Sequence, residues 1–211
     1  MRLRKVKHAA ATLQANEQMI IQQPSDYLGK WYTVFGNHHP IEIEIGTGKG
    51  KFIIELAKKH PEKNFIGIEK YDSVLIRALE KASIVQTPNL RLIWMDAETI
   101  TTTFELGEVS KIYLNFSDPW PKSKQKKRRL THPLFLSKYE NILLKGNRIQ
   151  FKTDNFPFFM DSMMSMVEYG MKVDFISLDL HSETSIDNVE TEFETKFVAQ
   201  GHQIYYLASH F

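Results

Sequence analysis

Acidic side chains and a cluster of glycines stand where the sequence predicts the ends of successive β-strands. Gly46, Gly48 and Gly50 follow the alternating segment 41–45 in the pattern Gly-x-Gly-x-Gly. Glycine allows the tight turns and close backbone approach that a bound nucleotide requires. Acids stand at five consecutive predicted strand ends, namely Glu44, Glu69, Asp96, Asp118 and Asp154. Because ligands of parallel α/β sheets bind beyond the carboxyl ends of the strands, this pattern predicts a cofactor crevice.

The glycine spacing indicates which cofactor fits this crevice. A dinucleotide fingerprint needs a third glycine at position 51, where the chain has Lys51, and the spacing of a phosphate-binding P-loop is also absent. Glu44 would repel a pyrophosphate, whereas S-adenosylmethionine has no phosphate and carries a sulfonium and an ammonium group. We therefore expect S-adenosylmethionine, with Glu69 accepting hydrogen bonds from its ribose and Asp96 bonding the adenine amino group.

Positive charge is concentrated in two segments of the chain. Residues 122–129 hold six of the 27 Lys and Arg residues and no acid, and residues 2–7 hold four more. The remainder has 17 basic against 25 acidic residues. This distribution predicts contact with a polyanion through salt-dependent phosphate interactions. The alternatives are a solvated loop at 122–129 and a frayed terminus at 2–7.

Composition excludes several classes of protein. The 211 residues are 42% hydrophobic and 25% charged, which is typical of one globular domain. The absence of cysteine excludes a disulfide scaffold, a thiol nucleophile and a thiolate zinc site. His38 and His39 have no third ligand at a suitable spacing, so we expect no metal. Without an apolar run of the ~18 residues that a membrane span needs, and without a secretory signal, we expect a cytoplasmic protein with no membrane contact.

Strands alternate with helices along the chain. Strands are expected at 41–45, 65–68, 90–95, 111–116, 148–152, 173–178 and 203–208, and helices at 51–60, 72–86, 131–145 and 156–169. Thr131 is expected to cap the third helix, which would end at Gly146. This alternation predicts an α/β fold, with a mostly parallel sheet and helices on both faces. Residues 1–40 are expected to form an irregular basic extension that packs on a single domain, 41–211.

Three motifs carry a resemblance to a known family. They are Glu44-Ile-Gly-Thr-Gly-Lys-Gly50, Asp118-Pro-Trp-Pro-Lys122 with its basic run to Leu130, and Thr191-Glu-Phe-Glu194. In this order they resemble the bacterial tRNA (guanine-N7)-methyltransferases over nearly the whole chain. The resemblance implies the seven-stranded Rossmann-like fold of S-adenosylmethionine-dependent methyltransferases, with its last strand antiparallel. It also implies methyl transfer to N7 of a guanine in the variable loop of tRNA.

The resemblance further implies roles for individual residues. Beside the three glycines, the cofactor contacts would be Glu44, Glu69, Asp96 and Asp118. The substrate contacts would be Lys122, Asp154, Thr191, Glu192, Phe193 and Glu194. The RNA contacts would be Lys124, Gln125, Lys126, Lys127, Arg128 and Arg129. The chain departs from the family at Ser123 and Gln125, and at Phe193, where tyrosine is usual. A capping box between Thr191 and Glu194 is an alternative to their substrate contact.

The expected chemistry needs little from the protein beyond positioning and charge. Guanine N7 has an in-plane lone pair and no proton, so its methylation requires no general base. The guanine gains positive charge, which a nearby carboxylate would stabilise in the transition state. Asp118 is the candidate for that catalytic role, through the guanine N1–H and amino edge.

The sequence is also compatible with other functions. The Asp-Pro-Trp-Pro segment resembles the loop of amino-group methyltransferases, although Trp120 breaks the double proline. The methyl acceptor could therefore be an exocyclic amino or amide group. Another RNA could also be the substrate. A dinucleotide oxidoreductase and a non-catalytic RNA-binding relative are further alternatives. The expected partner is tRNA, with no obligatory protein partner, and the protein would be a monomer or a homodimer.

Overall fold

A seven-stranded sheet runs through the computed structural model, which describes residues 6–211. The strands are β1 (Ile41–Ile45), β2 (Asn64–Glu69), β3 (Leu90–Trp94), β4 (Val109–Asn115), β5 (Leu143–Thr153), β6 (Lys172–Ser177) and β7 (Tyr205–His210). The helices are α1 (Ala9–Gln14), α2 (Trp31–Phe35), α3 (Lys51–Lys59), α4 (Asp72–Val85), α5 (Pro133–Ile142), α6 (Phe156–Tyr169) and α7 (Glu192–Val198). Short 3₁₀ helices lie at Pro24–Tyr27, Ala97–Thr102, Ser123–Arg128 and Leu180–Ser182.

The strand order in the sheet is β3-β2-β1-β4-β5-β7-β6. The pairs formed among β1 to β5 are parallel, whereas β7 runs antiparallel to both of its neighbours, β5 and β6. The predicted fold, with an antiparallel last strand, is therefore confirmed. The order reverses between β1 and β4, which is where open α/β sheets form their ligand crevice.

Two apolar layers cover the two faces of the sheet. One layer joins buried side chains of α5 and α6, such as Leu136 and Phe159, to the strands. The other joins α1, α3 and α4, with Leu13, Ile53 and Leu79 buried among them. The expectation of helices on both faces is thus confirmed. In the described part of the chain, no helix has the length and apolarity that crossing a membrane would require.

The segment before β1 is more regular than expected. It contains α1, a 3₁₀ helix and α2 instead of irregular chain. Ile20 pairs with Leu92 of β3 as a parallel β-bridge. Trp31 is fully buried, donates its indole N–H to the Thr103 carbonyl at 2.9 Å, and stacks on Phe104. The short helices were not predicted because a helix of 5–6 residues contains too few apolar positions to give a periodic pattern.

The limits of this segment stay a prediction. A boundary at residue 40 is not marked by any break in packing, since Trp31 belongs to the same apolar layer as α5 and α6. Of the basic residues near the start, Arg2, Arg4 and Lys5 lie outside the described residues, and Lys7 is exposed.

The prediction for the helix at 131–145 is wrong at both ends. The helix spans Pro133–Ile142, and the His132 ring caps it by accepting the Leu134 N–H. Thr131 is buried instead, with its hydroxyl 2.9 Å from that of Ser162. At the other end, Leu143 is buried and pairs with Val109, so strand β5 begins before Gly146. Burial in the sheet overrides the local helix signal.

Trp31 provides a test of how strongly the segment before β1 is tied to the domain. We expect Trp31→Ala to reduce the free energy of unfolding by about 3–5 kcal/mol, because it removes a fully buried indole and leaves a cavity. The neighbouring Tyr32 is 45% exposed, so Tyr32→Ala should cost less than about 1 kcal/mol. Urea denaturation of both variants measures the difference. Equal losses of unfolding free energy in the two variants would show that Trp31 does not tie the segment to the domain.

Candidate active site

The glycine loop between β1 and α3 forms the floor of the crevice. The N–H groups of Gly46 and Thr47 both donate to the Ile68 carbonyl of β2, at 2.8 and 2.9 Å. Gly50 has a φ of 80°, and a Cβ added there would lie 2.8 Å from the Cβ of Ala78 in α4. Glycine is therefore required at position 50 for backbone conformation and for the close approach of α3 to α4.

Glu44 lies buried at the carboxyl end of β1. Its two carboxylate oxygens accept hydrogen bonds from the Thr47 hydroxyl at 2.6 Å and from the Asn115 amide at 2.8 Å. Burial raises the pKa of Glu44 to about 7, although both hydrogen bonds act in the opposite direction. The side chain thus joins β1, the glycine loop and β4, and a nearby positive charge would favour its ionised form.

Glu69 faces the glycine loop from the end of β2. One carboxylate oxygen accepts the Gly48 N–H at 3.1 Å and the other accepts the Tyr71 N–H at 3.0 Å. These two bonds fix the carboxylate across the crevice, and burial raises its pKa. Each oxygen retains a lone pair for a further donor, such as a ribose hydroxyl.

Asp96 stands at the end of β3 and is exposed. One of its carboxylate oxygens accepts the Glu98 N–H at 3.0 Å and caps the 3₁₀ helix Ala97–Thr102. Within residues 6–211, the other oxygen makes no hydrogen bond. Asp96 therefore has a capping role and also an acceptor facing solvent at the same edge of the sheet.

Two polar residues at the end of β4 were missed by the sequence analysis. The side-chain oxygens of Asn115 and Ser117 are buried and, within residues 6–211, have no hydrogen-bond partner. A buried polar atom without a partner is costly, so such atoms often mark the place of a ligand. Applying the strand-end rule to amides and hydroxyls as well as to acids would have found both residues.

Asp118 follows these two residues and is exposed. Beside it lies an aromatic surface: Phe116 is 6.5 Å from Phe193 and 6.1 Å from Phe197, measured between ring centres. Phe193 is 49% exposed, so its ring offers a face on which a base can stack. The family resemblance implies a substrate contact for Phe193, whereas the sequence analysis gave no role to Phe116.

Glu194 occupies a different position from its neighbour Phe193. It is fully buried and accepts a hydrogen bond from the Lys152 ammonium of β5 at 2.6 Å, and another from the Asn188 amide at 2.5 Å. Burial lowers the pKa of Lys152, and the charge of Glu194 opposes that effect. Glu194 also forms the capping box of α7 with Thr191, the alternative considered from the sequence. The substrate contact of Thr191 and Glu194 stays a prediction. Glu194 is fully buried, so it could contact the substrate only after a rearrangement.

The segment around α7 is also tied to the helices beside the glycine loop. Glu192 forms an ion pair with Lys81 of α4. Lys51, the first residue of α3, donates to the Thr195 hydroxyl at 2.8 Å. Together with the Lys152–Glu194 pair, these contacts tie the Thr191–Glu194 motif to α3, α4 and β5.

The basic run divides into exposed and engaged side chains. Lys122, Lys124, Lys127 and Arg128 are exposed. By contrast, Lys126 pairs with Asp161 of α6 at 3.2 Å, and Arg129 is buried. Gln125 is half-buried. The exposed members present a positive surface next to the Asp118 loop.

Asp154 lies just beyond the end of β5 and is half-buried. The cap of α6 is the next residue, Asn155, whose side chain accepts the Phe158 N–H at 2.9 Å. Asp154 is therefore not used to cap the helix. Asp154, Asp118 and Glu44 all lie at one edge of the sheet, as the sequence predicts for the ends of parallel strands.

These residues fit S-adenosylmethionine. Glu69 can hold the ribose, Asp96 can hold the adenine amino group, and the unpaired oxygens of Asn115 and Ser117 can accept from the ammonium of the methionine part. Buried carboxylates at 44 and 69 suit a ligand with two positive groups. Among residues 6–211 there is no group of three or more His, Cys, Asp or Glu side chains that could hold a metal ion.

Glu44 makes stability depend on pH in a defined direction. Because its pKa is raised in the folded protein, the folded state loses stability as pH rises from about 4.5 to 7. We expect Glu44→Gln to raise the free energy of unfolding at pH 8 by roughly 1–3 kcal/mol. Urea denaturation measures this gain, which should vanish at pH 5. Glu55→Gln, at a position whose side chain is 46% exposed, should show no such trend. A gain independent of pH would contradict this account.

Comparison with known proteins places this chain in a family. Residues 38–207 match a family model described as "Putative methyltransferase". The chain is 50% identical over 205 residues to a tRNA (guanine-N(7)-)-methyltransferase from Bacillus cytotoxicus, covering 97% of this chain and 94% of that one.

Solved structures share the fold at low sequence identity. An antibiotic-related methyltransferase has a TM-score of 0.65 at 17% identity, covering 87% of this chain and 94% of its own. The 16S rRNA methyltransferase KamB has a TM-score of 0.63 at 15% identity, covering 86% and 92%. At such identities the likeness concerns the fold alone, whereas the sequence matches define the family. The chain belongs to the tRNA (guanine-N7)-methyltransferase family.

Proposed function

We propose that this protein transfers the methyl group of S-adenosylmethionine to N7 of a guanine in the variable loop of tRNA. The observation that carries the proposal is the position of Asp118. This exposed carboxylate follows β4, the neighbour of β1 in the sheet, and comes just before the exposed basic residues of 122–128 in the chain. Family membership supports the same reaction.

The chain's own residues would bind and orient both reactants. When bound, S-adenosylmethionine supplies an electrophilic methyl group on its sulfonium. The carboxylates of Glu44 and Glu69 and the Asn115 amide oxygen would hold its polar parts and keep the sulfonium at the end of β4. Because the guanine needs no deprotonation at N7, the remaining task of the protein is alignment of the two reactants.

Asp118 would act on the guanine. Its carboxylate can accept from the guanine N1–H and amino group, and it stabilises the positive charge that the ring gains. Phe193 would stack on the base, and Asp154 would contact it from the next strand end. Thr191 and Glu194 would support this arrangement indirectly, through the capping box and the bond to Lys152.

The positive surface would contact the RNA backbone. Lys122, Lys124, Lys127 and Arg128 are exposed and lie beside the Asp118 loop. Such side chains contact phosphates without reading sequence, so they would set the strength and salt dependence of tRNA binding. We propose that the protein works in the cytoplasm, without an obligatory protein partner, as a monomer or a homodimer.

One contact weighs against an exocyclic amino group as the acceptor. In that chemistry, loop carbonyls accept hydrogen bonds from the amino group of the substrate. Here the Pro119 carbonyl already accepts a hydrogen bond from Arg129 Nε at 2.7 Å. That bond takes up one of the two lone pairs of the carbonyl, and Trp120 breaks the double proline typical of amino-group methyltransferases. Together these features favour the ring nitrogen of guanine as the acceptor.

The reaction can be tested directly with unmethylated tRNA and methyl-labelled S-adenosylmethionine. We expect label in 7-methylguanosine on nucleoside mass spectrometry, and none when the acceptor guanine is replaced by 7-deazaguanine, which lacks the nitrogen that receives the methyl group. Label in another nucleoside would overturn the assignment of the acceptor atom. The absence of label, in a protein that binds S-adenosylmethionine, would overturn the assignment of tRNA as the substrate.

Asp118 can be tested separately from cofactor binding. Asp118→Asn keeps the size of the side chain but removes the charge, so we expect kcat to fall by roughly 10²–10³-fold. Affinity for S-adenosylmethionine, measured by calorimetry, should change less than about threefold, a small free-energy difference. Asp174→Asn, on β6 outside the site, is the control. Unchanged turnover in Asp118→Asn would remove Asp118 from the mechanism.

A further inference from the structure

The loop that carries Asp118 has an unusual backbone. Trp120 has a φ of 38°, in the left-handed region that residues with side chains rarely adopt. It stands between Pro119 and Pro121, and a residue before proline normally prefers an extended conformation. The conformation therefore costs roughly 1–3 kcal/mol. Neither proline has an N–H to donate, which reduces the number of backbone hydrogen bonds that can hold the loop in place.

Arg129 supplies the missing donors. Its Nε donates to the Pro119 carbonyl at 2.7 Å, and its Nη2 donates to the Trp120 carbonyl at 3.5 Å. Its Nη1 donates to the carboxylate of Asp161 at 2.8 Å. The guanidinium lies 5.3 Å from the centre of the Phe158 ring, and Arg129 as a whole is only 8% exposed. One planar group thus joins the loop to helix α6.

Asp161 fixes the far end of this connection. It accepts from Arg129 and also pairs with Lys126 at 3.2 Å. The hydrogen bond from Arg129 lowers the pKa of Asp161, so the carboxylate is charged at neutral pH. Because α6 packs firmly on the sheet through Phe158 and Phe159, the anchor has a rigid base.

We propose that Arg129, anchored by Asp161, is a positioning residue that holds the Asp118–Pro121 loop in its reactive conformation, an inference that rests on the methyl transfer proposed above. This differs from the RNA contact expected for Arg129 from the family resemblance. A phosphate could reach the buried guanidinium only by breaking its existing bonds. Lys127 and Arg128, the preceding residues, are exposed, and the guanidinium of Arg128 lies 5.0 Å from the centre of the Trp120 ring.

The inference predicts a change in kcat and not in tRNA binding. Arg129→Lys keeps the charge, but an ammonium cannot reach two carbonyls and a carboxylate in one plane. We expect kcat to fall by about tenfold or more, because misplacement of a catalytic group by 1 Å has effects of this size. The KM for tRNA should stay within about threefold of the unmodified value, since no phosphate contact is lost.

Arg148→Lys is the matched control. Arg148 on β5 also pairs with an aspartate, Asp174, at 3.0 Å, but its side chain is 58% exposed and lies outside the site. The same substitution there should leave kcat unchanged. Asp161→Asn is a second variant for the proposal itself: the Asp161 side chain is 46% exposed, so its loss should spare the fold while lowering kcat several-fold.

Two further measurements separate positioning from general destabilisation. Methylguanidinium added to Arg129→Ala should restore part of kcat, whereas it should restore nothing in Asp118→Asn. Acrylamide quenching in a Trp94→Phe background reports on Trp120, because the remaining Trp31 is fully buried. Quenching should increase in Arg129→Ala if the loop is released.

The kinetic results distinguish a positioning role of Arg129 from a role in RNA binding. Unchanged kcat in Arg129→Lys and Asp161→Asn would overturn the proposal, and a rise in the tRNA KM alone would return Arg129 to RNA binding. If Arg129→Lys does not unfold cooperatively, the variant is not folded, and the kcat of Asp161→Asn then tests the proposal. If the unmodified protein forms no 7-methylguanosine, the proposed function fails instead, and the quenching experiment still tests the anchoring of the loop.

Discussion

A carboxylate withdrawn from water at the end of β1 is the constraint on which the crevice depends. Glu44 can remain buried only if hydrogen-bond donors reach both of its oxygens. Those donors come from two other elements, Thr47 in the glycine loop and Asn115 at the end of β4. The requirement to satisfy one side chain therefore aligns three segments at the point where the strand order reverses. The raised pKa of Glu44 shows that this arrangement is kept against a desolvation penalty.

A second buried charge organises the opposite side of the crevice. Lys152 and Glu194 bury an ion pair whose separation would leave an uncompensated charge in the interior, at a cost of roughly 3–5 kcal/mol. The pair attaches the first turn of α7 to β5, and the capping box of Thr191 orients the helix. These contacts divide the Thr191–Glu194 motif by function. Its buried members hold the segment, and Phe193 is left at the surface beside Phe116.

The sequence predicts the sheet well because strand residues and strand-end acids leave local signals. The alternation at 41–45 and the glycines after it locate the crevice before any contact is known. Contacts between distant residues leave no such signal. Arg128 and Arg129 are chemically identical neighbours, and contacts with distant residues such as Asp161, 32 residues along the chain, make one of them a buried anchor. The end of α5 was misplaced for the same reason, since pairing of Leu143 with Val109 decides it.

The insertion of β7 between β5 and β6 has a consequence for how the enzyme acquires activity. Strand β6 has no described partner other than β7, and the register of β5 joins Arg148 to His210 across 62 positions of sequence. Closing so long a loop is slow compared with forming the local β1–α3–β2 unit. The Thr191–Glu194 motif lies within the connection that leads into β7. The crevice residues at the ends of β1 and β2 therefore come from the first half of the chain, whereas the substrate side is complete only when β7 has paired with β5.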